Sequence, residues 1–522
     1  MKLKNIIYTV GLAWVCSSCA SDYLDTTPQS SVGKVTIFET TDNAKLAVNG
    51  LCRMMYIQYL GQQGFNGEAT IKFYYGNYPG NDFQQCKRTS FKNTATSGYI
   101  EDNTRYWDYY PWFYYYKLIG NSNAIIMNID AAQGKETDKQ FIKAQALTVR
   151  AYAYTMLTQL YCFRWQDSNN GSTRGLPLRL DENTGDLAPS TLGQVYAQIY
   201  QDLDDAVSNY ASSGQDRDKS DNYSPSLDVA YCTYARAALI REDWATAAKY
   251  AALARKNYPL MSVSEYMDGG FNTVNKEWIW SSYGEAPQKL YYYGFFAYIG
   301  SNANSSVCRQ YPCAISKELY DQIPETDIRR SMFLGVEASD GIKDYSARVQ
   351  KGALYNRAKA DYSSKLYSTT YIFPYMQFKF QCKDNYGVGD PNHFRSSEMY
   401  LIEAEADCHL GKEAEARNLL LALVKESGRD PEYACDKSGD ELLDEVRLYR
   451  RIELWGEGFD WFDLKRWKLP RIRKTSAEGG SFVADFVVNA QPGDLNNWTW
   501  VYPYRETAYN GAFISDPVAA EE

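Results

Sequence analysis

Histidine is nearly missing from this chain, with only His393 and His409 in 522 residues. Catalytic triads and metal sites that depend on imidazole therefore have almost nothing to be built from. Positive charge is also short: 55 Lys+Arg stand against 64 Asp+Glu, a net charge of −9. That balance offers polyanions no general attraction and argues against nucleic-acid binding. Past Cys19 there is no Cys-x-x-Cys pair, and nowhere a Walker or Gly-x-Gly-x-x-Gly loop. Asp216, Asp218 and Asp221 suggest a calcium loop, but Asp221 stands where glycine is required and Leu227 where the bidentate glutamate belongs. They read instead as a polar linker, and no metal or other cofactor is expected. What the chain has in excess is tyrosine, 46 residues of it. At 45% hydrophobic and 23% charged the composition is otherwise that of a globular protein.

The one sustained apolar run is at the N-terminus, from Ile6 to Val15, preceded by Lys2 and Lys4 and followed by Cys16-Ser17-Ser18-Cys19. It is too short to span a bilayer and reads as an export signal. Ser17 and Ser18 are the small flanks that precede the lipidated residue in a bacterial lipobox, which this segment resembles, with Cys16 in place of the usual Leu. Lipidation is accordingly expected on Cys19. The stretch behind it, rich in Thr, Ser, Pro and Gln to Ser31, reads as a tether, and Asp22 and Asp25 fit either a solvated linker or an outward-export signal. The remaining cysteines are irregularly spaced. Cys308 and Cys313 bracket a turn that a disulfide would close, but small buried hydrophobes is the better reading.

Three regions carry a helical period. Ala144, Leu147, Ala151, Tyr154, Leu157 and Tyr161 mark one amphipathic helix. Between Ala230 and Pro259, small residues alternate with Tyr231, Tyr234 and Tyr250 around a break at Glu242-Asp243, and Ala247, Ala254 and Pro259 fall at tetratricopeptide spacing. Tyr400 to Gly428 repeats that pattern more loosely, so the units are separated by long insertions. Near the C-terminus a helix with Leu442, Val446, Tyr449 and Glu453 on one face stops at Gly456, and a second aromatic segment follows Gly458. Its alternating charges predict an internal ion-pair network rather than catalytic carboxylates.

Two insertions lack helical period and concentrate aromatics beside amides and carboxylates. The first runs from Gly61 to Gly98 and holds Tyr74, Tyr75 and Tyr78 next to Asn81 and Asp82. The second follows a short alternating strand, Glu277–Trp280, and holds Tyr283, Tyr291, Tyr292 and Tyr293. Trp278 and Trp280 on that strand are assigned to the core. Flat aromatic faces stack on the apolar C–H face of pyranose rings while edge groups bond the hydroxyls, so the two insertions are candidate sugar platforms. These nine residues are expected to lie together on one face of a helical scaffold.

The run Arg450-Arg451-Ile452-Glu453-Leu454-Trp455-Gly456-Glu457-Gly458-Phe459-Asp460 resembles the C-terminal signature of the SusD/RagB family, although Tyr449 stands where a Glu commonly precedes the paired arginines. Tyr23-Leu24-Asp25, Ala47-Val48-Asn49-Gly50-Leu51, Asn121 and Asn123, Arg150-Ala151-Tyr152 and Gly175-Leu176-Pro177-Leu178 follow the family order over nearly the whole chain. The resemblance implies an all-α fold of tetratricopeptide-like helix pairs with long aromatic-rich loops. It divides the chain into a signal peptide (1–18), a lipidated cysteine and tether (19–34), an N-terminal helical region with the first aromatic loop (35–229), and a C-terminal region with the tetratricopeptide-like units and the second loop (230–522). It further implies a non-catalytic, lipid-anchored protein of the outer-membrane surface that binds an oligosaccharide and hands it to a SusC-like TonB-dependent transporter. The competing readings are a helical scaffold that binds peptide or protein, and a surface glycoside hydrolase using Glu403 and Asp407, which lie at i and i+4 on one helix.

Overall fold

The computed structural model describes residues 34–61, 64–285, 294–494 and 496–514. Cys19 and most of the expected tether lie outside them, as do Tyr291, Tyr292 and Tyr293. The fold is mostly helical. Helices of eight or more residues are α1 (Thr41–Met54), α2 (Tyr106–Asn128), α3 (Glu136–Tyr161), α4 (Leu192–Ser213), α5 (Leu227–Arg241), α6 (Trp244–Arg255), α7 (Ala353–Asp361), α8 (Ser396–His409), α9 (Glu413–Leu421), α10 (Gly439–Glu453) and α11 (Asp460–Trp467). α2, α3, α4, α5 and α6 pack each against the next, and α6 then packs directly on α8 although residues 256–395 intervene. The insertion leaves the stack without breaking it.

Local signals account for these helices. Thr191 and Gln194 form a capping box at the start of α4, and Gly214, at φ +62°, ends it. The break between α5 and α6 is made by Glu242 in the left-handed region and by Asp243, whose side chain accepts from Thr246 N. Across that turn Tyr234 stacks on Tyr250 at 4.0 Å, so the helical tyrosines are interhelical packing as their spacing predicts. Helix α3 begins at Glu136, two turns before the apolar stripe, because Glu136 and Asp138 suit the positive end of the helix dipole without supplying a core face. Pro111 inside α2 cannot donate to Trp107 O, and the Tyr75 hydroxyl takes that carbonyl at 2.6 Å.

The stretch after Gly61 is not irregular: Gly67–Thr70 is α-helical and continues as a π-helix over Ile71–Asn77. Every residue of both segments is buried. A helix enclosed on all sides has no polar face, so its sequence shows no period to detect.

Among the described residues, three antiparallel strand pairs form: β1 (Phe83–Gln85) with β3 (Cys313–Ile315) and β2 (Trp278–Ser281) with β4 (Asn392–Arg395), both joining distant segments, and β5 (Arg471–Arg473) with the nearby β6 (Val488–Ala490). Trp278 and Trp280 are fully buried. The principal hydrophobic core runs from Ala44 to Phe513 and draws on residues 35–229 and 230–522 alike. A smaller cluster including Leu334, Val349, Leu354, Ala358 and Phe378 surrounds α7. Cys308 and Cys313 are free and buried rather than bridged.

The charges of the C-terminal run form the expected buried network, wider than two helices. Glu453 accepts from Arg329, Arg395 and Arg429, while Glu277 and Glu457 also engage Arg395. Arg395 belongs to β4 and Glu277 precedes β2, so the network anchors the strand pair that carries the surface described next.

Candidate ligand-binding surface

The first insertion is not a platform. Tyr74, Tyr75 and Tyr78 are buried to 2% exposure or less. Tyr74 stacks on Phe91 with ring centroids 5.3 Å apart, Tyr75 holds α2 as described, and Tyr78 donates to Gln85 Oε1 at 3.0 Å. Burial pushes all three phenols far above their usual range. Asn81 is held between Pro470 O and Ile472 N, and Asp82 pairs with Arg451 at 2.7 Å. Neighbouring groups do the same work: Asn77 accepts from Gly458 N and donates to Gly456 O, and Lys72 donates to Glu457 O. A Cβ on Gly76 would sit 2.1 Å from Gly458 O. The segment is the seam between the first third of the chain and the C-terminal run. Its tyrosines supply aromatic bulk to the core, with the Tyr75 and Tyr78 hydroxyls bonded internally.

Tyr283, in the second insertion, is at the surface, 46% exposed. It meets Tyr223 edge to face at 5.1 Å. Beside it runs a loop, Lys383 to Asp390, delivered by the other strand of the β2–β4 pair. Asp390 is the buried hub that joins the two: its carboxylate accepts from Gly284 N at 2.8 Å and Tyr223 OH at 3.3 Å and pairs with Lys383 at 2.7 Å. Asp384 turns the loop by accepting from Tyr386 N and Val388 N. Ser282 N donates to Pro391 O, and the Ser282 hydroxyl meets His393 Nε2 at 2.7 Å. Burial and the nearby Lys72 and Arg236 cations hold that imidazole neutral, so His393 is a structural partner. A Cβ on Gly284 would lie 2.1 Å from Gly389 O, so only glycine allows the two backbones to approach this closely.

With Asp390 and Asp384 occupied in holding the loops, the side chains left at the surface are Tyr283, Lys383, Asn385 and Tyr386, the last 50% exposed, with Glu285 half-buried beside them. Glu285 raises the phenol of Tyr283, which therefore remains a neutral donor. The Lys383 ammonium lies 5.8 Å from the Tyr283 ring centroid. This is an aromatic surface with carboxylate, amide and ammonium groups at its edge. Gly294 also borders the loop, since a Cβ on it would lie 3.7 Å from Gly387 O. Of the nine expected residues, then, the structure places Tyr283 at an exposed aromatic surface, assigns five to the interior seam, and leaves three undescribed. Tyr223, Lys383, Asn385 and Tyr386 were not anticipated. The cue was present, since Asp384-Asn385-Tyr386 puts an aromatic beside an amide and a carboxylate just as the two insertions do, but what pairs it with Tyr283 is the strand register.

No cluster of three or more His, Cys, Asp or Glu side chains suited to a metal occurs among the described residues. Glu403 and Asp407 lie on one helix, Glu403 pairing with Arg255 at 2.7 Å and Asp407 facing Lys412 at 3.6 Å, so they do not oppose each other across a cleft. No helix among the described residues is long and apolar enough to cross a membrane.

Comparison with known proteins agrees with this architecture. The SusD family model matches residues 248–512, and a model described as starch-binding associating with outer membrane matches 22–239. A SusD-like carbohydrate binding protein from Bacteroides vulgatus superimposes with a TM-score of 0.72 at 24% identity, covering 92% of this chain and 98% of its own. A SusD superfamily protein from Bacteroides thetaiotaomicron gives 0.70 at 21% identity, covering 91% and 99%. In sequence, SusD-like protein P38 of Formosa agariphila is 40% identical over 81 residues, which span 14% of this chain and 16% of that protein.

Proposed function

Since the chain belongs to the SusD/RagB family, we propose that it is a non-catalytic glycan-binding lipoprotein of the outer-membrane surface, which captures an oligosaccharide for a partner TonB-dependent transporter. The observation that carries this reading is the exposed pair Tyr283 and Tyr386, backed by Tyr223 and edged by Glu285, Lys383 and Asn385. Half-exposed aromatic rings suit the apolar side of a pyranose, and the edge groups suit its hydroxyls. Loops clamped from within by Asp390 and Asp384 hold the rings in place before ligand arrives, which lowers the ordering cost of binding. The SusD-like protein of B. vulgatus, described as carbohydrate binding, supports the ligand class. Tyr291, Tyr292 and Tyr293 enter the same reading as further contacts, and Cys19 as the lipid attachment.

The test is calorimetry of the mature chain against a panel of defined oligosaccharides, with reducing-end release measured in parallel. Binding without turnover is expected. Tyr283→Ala should cost about 2 kcal/mol, roughly thirty-fold in Kd, and Tyr386→Ala a comparable amount, with thermal stability unchanged. Sugar release by the purified protein, or tyrosine variants that bind as the wild type does, would sink the proposal.

A further inference from the structure

A second group of exposed tyrosines lies on other segments. Tyr509 is 76% exposed, Tyr504 49% and Tyr106 45%. The backbone carrying the first two is firmly held. Tyr504 N donates to Asn103 O at 2.9 Å and Val501 N to Ile100 O at 3.1 Å. Glu506 accepts from Trp112 Nε1 at 3.3 Å and from Asn510 Nδ2 at 2.7 Å, and Asn510 exchanges hydrogen bonds with both backbone groups of Leu187. Tyr502 and Phe513, on either side, are core residues with rings 5.3 Å apart. The inward positions of this short segment are thus pinned, and its outward ones are Tyr504, Arg505 and Tyr509.

The outward side chains are arranged. The Tyr504 and Tyr509 rings lie 6.2 Å apart at 75°. The Arg505 guanidinium sits 4.8 Å from the Tyr109 ring centroid and 5.4 Å from that of Tyr106, joining the segment to the start of α2. A docking surface for a protein has an apolar, desolvated centre. Here the rings are broadly exposed rather than gathered about a desolvated centre, and the planar guanidinium beside them offers paired donors suited to adjacent hydroxyls. The chemistry repeats that of Tyr283 and Tyr386 on a separately built support.

We propose that Tyr106, Tyr504, Arg505 and Tyr509 form a second carbohydrate platform, which engages another stretch of the polysaccharide held at Tyr283. The proposal rests on the glycan-binding reading and extends it from one point of contact to two. Two weak contacts on one polymer raise retention well beyond either alone, by a hundredfold or more when the spacing fits.

The experiment is affinity electrophoresis of the full mature chain through gels containing amylopectin, xylan, galactomannan, laminarin or polygalacturonate. The variants are Tyr504→Ala/Tyr509→Ala, Tyr283→Ala/Tyr386→Ala and the combination of all four, each confirmed folded by an unchanged melting temperature. A polysaccharide that retards the wild type is expected to retard Tyr504→Ala/Tyr509→Ala at least roughly tenfold less, and the fourfold variant not at all. Calorimetry with a short oligosaccharide of the same polymer should give two sites per chain in the wild type and one in either double variant. If the wild type is retarded and Tyr504→Ala/Tyr509→Ala migrates identically, the second platform is refuted while glycan binding stands. If that variant instead loses only co-purification with a protein partner, the patch is a protein interface and the proposal falls. A wild type retarded by none of the gels overturns both readings together.

Discussion

Removing the Glu453 carboxylate should be among the most damaging single changes available to this protein. Its Oε1 accepts from Arg395 Nη1 at 2.7 Å and Arg429 Nη2 at 3.2 Å, and its Oε2 from Arg329 Nη1 at 2.9 Å, Arg429 Nε at 3.0 Å and Tyr266 OH at 3.2 Å. All these groups are buried. Around them Glu277, Asp327, Glu453 and Glu457 face Arg329, Arg395, Arg429 and Lys379, so the buried charges balance. Glu453→Ala leaves one positive charge uncompensated in the interior and several guanidinium donors unpaired. Breaking such a site from one side costs about 3–5 kcal/mol, a large share of the roughly 5–15 kcal/mol by which a domain is stable. Glu453→Gln should cost nearly as much, because its amide N–H groups would face guanidinium N–H groups. Urea denaturation followed by tryptophan fluorescence reads the loss as a lower midpoint at unchanged slope. A loss below about 1 kcal/mol for both variants, at equal slope, would refute the premise that this network is strained by the removal of one partner. The pH dependence has a definite sign. The surrounding cations hold Glu453 well below its usual range and Glu457 at about 2. A carboxylate depressed in the folded state adds stability that is complete above its unfolded value, about 4.5, and is lost as pH falls toward 2.

Three further outcomes are expected. Tyr75→Phe removes the hydroxyl that satisfies Trp107 O opposite Pro111 and should destabilise by about 1–3 kcal/mol; a neutral result in urea would mean that the carbonyl finds another donor. Lys465 is buried with its ammonium on Gln159 O and Cys162 O at the end of α3, and burial pulls it down to about 7. At this group the unfolded chain therefore binds more protons above pH 7, so Lys465 adds a rise in stability between pH 7 and 9, as Lys72 and Lys379, both lowered to about 8, also do, while Asp108 and Asp460, raised to about 9 and about 8, slope the other way; Lys465→Met should make the slope over that window less positive than the wild type's, and identical slopes in wild type and variant would count against it. Cys19→Ala should abolish incorporation of labelled fatty acid in cells, and a labelled variant would move the lipidation site elsewhere.

Much of the scaffold was legible in advance. The tetratricopeptide spacing of Ala247, Ala254 and Pro259 and the turn at Glu242-Asp243 are local signals realised where they were read, whereas the helix expected to stop at Gly456 ends at Glu453 with Leu454 as its cap, and Gly456, at φ +80°, lies in the turn beyond. The ion-pair network was legible as alternating charge, though not its reach to Glu277, Arg329 and Arg395, which come from other parts of the chain. The surface was legible by half. Tyr74, Tyr75 and Tyr78 share the composition cue that marks Tyr283, but exposure is a property of what packs around a ring, and a helix buried on every side has the same lack of period as a loop.

By itself, then, the sequence determined the family, the helical periods and the presence of aromatics beside polar edge groups, because these depend on residues a few positions apart. Which tyrosines face outward was decided only by the tertiary structure. Pairing of β2 with β4 brings Tyr283 beside Lys383, at the root of the loop that carries Asn385 and Tyr386, and the rings of Phe91, Trp107, Tyr298 and Trp500 enclose Tyr74, Tyr75 and Tyr78. Both outcomes come from contacts between residues far apart in the chain, which no local pattern encodes.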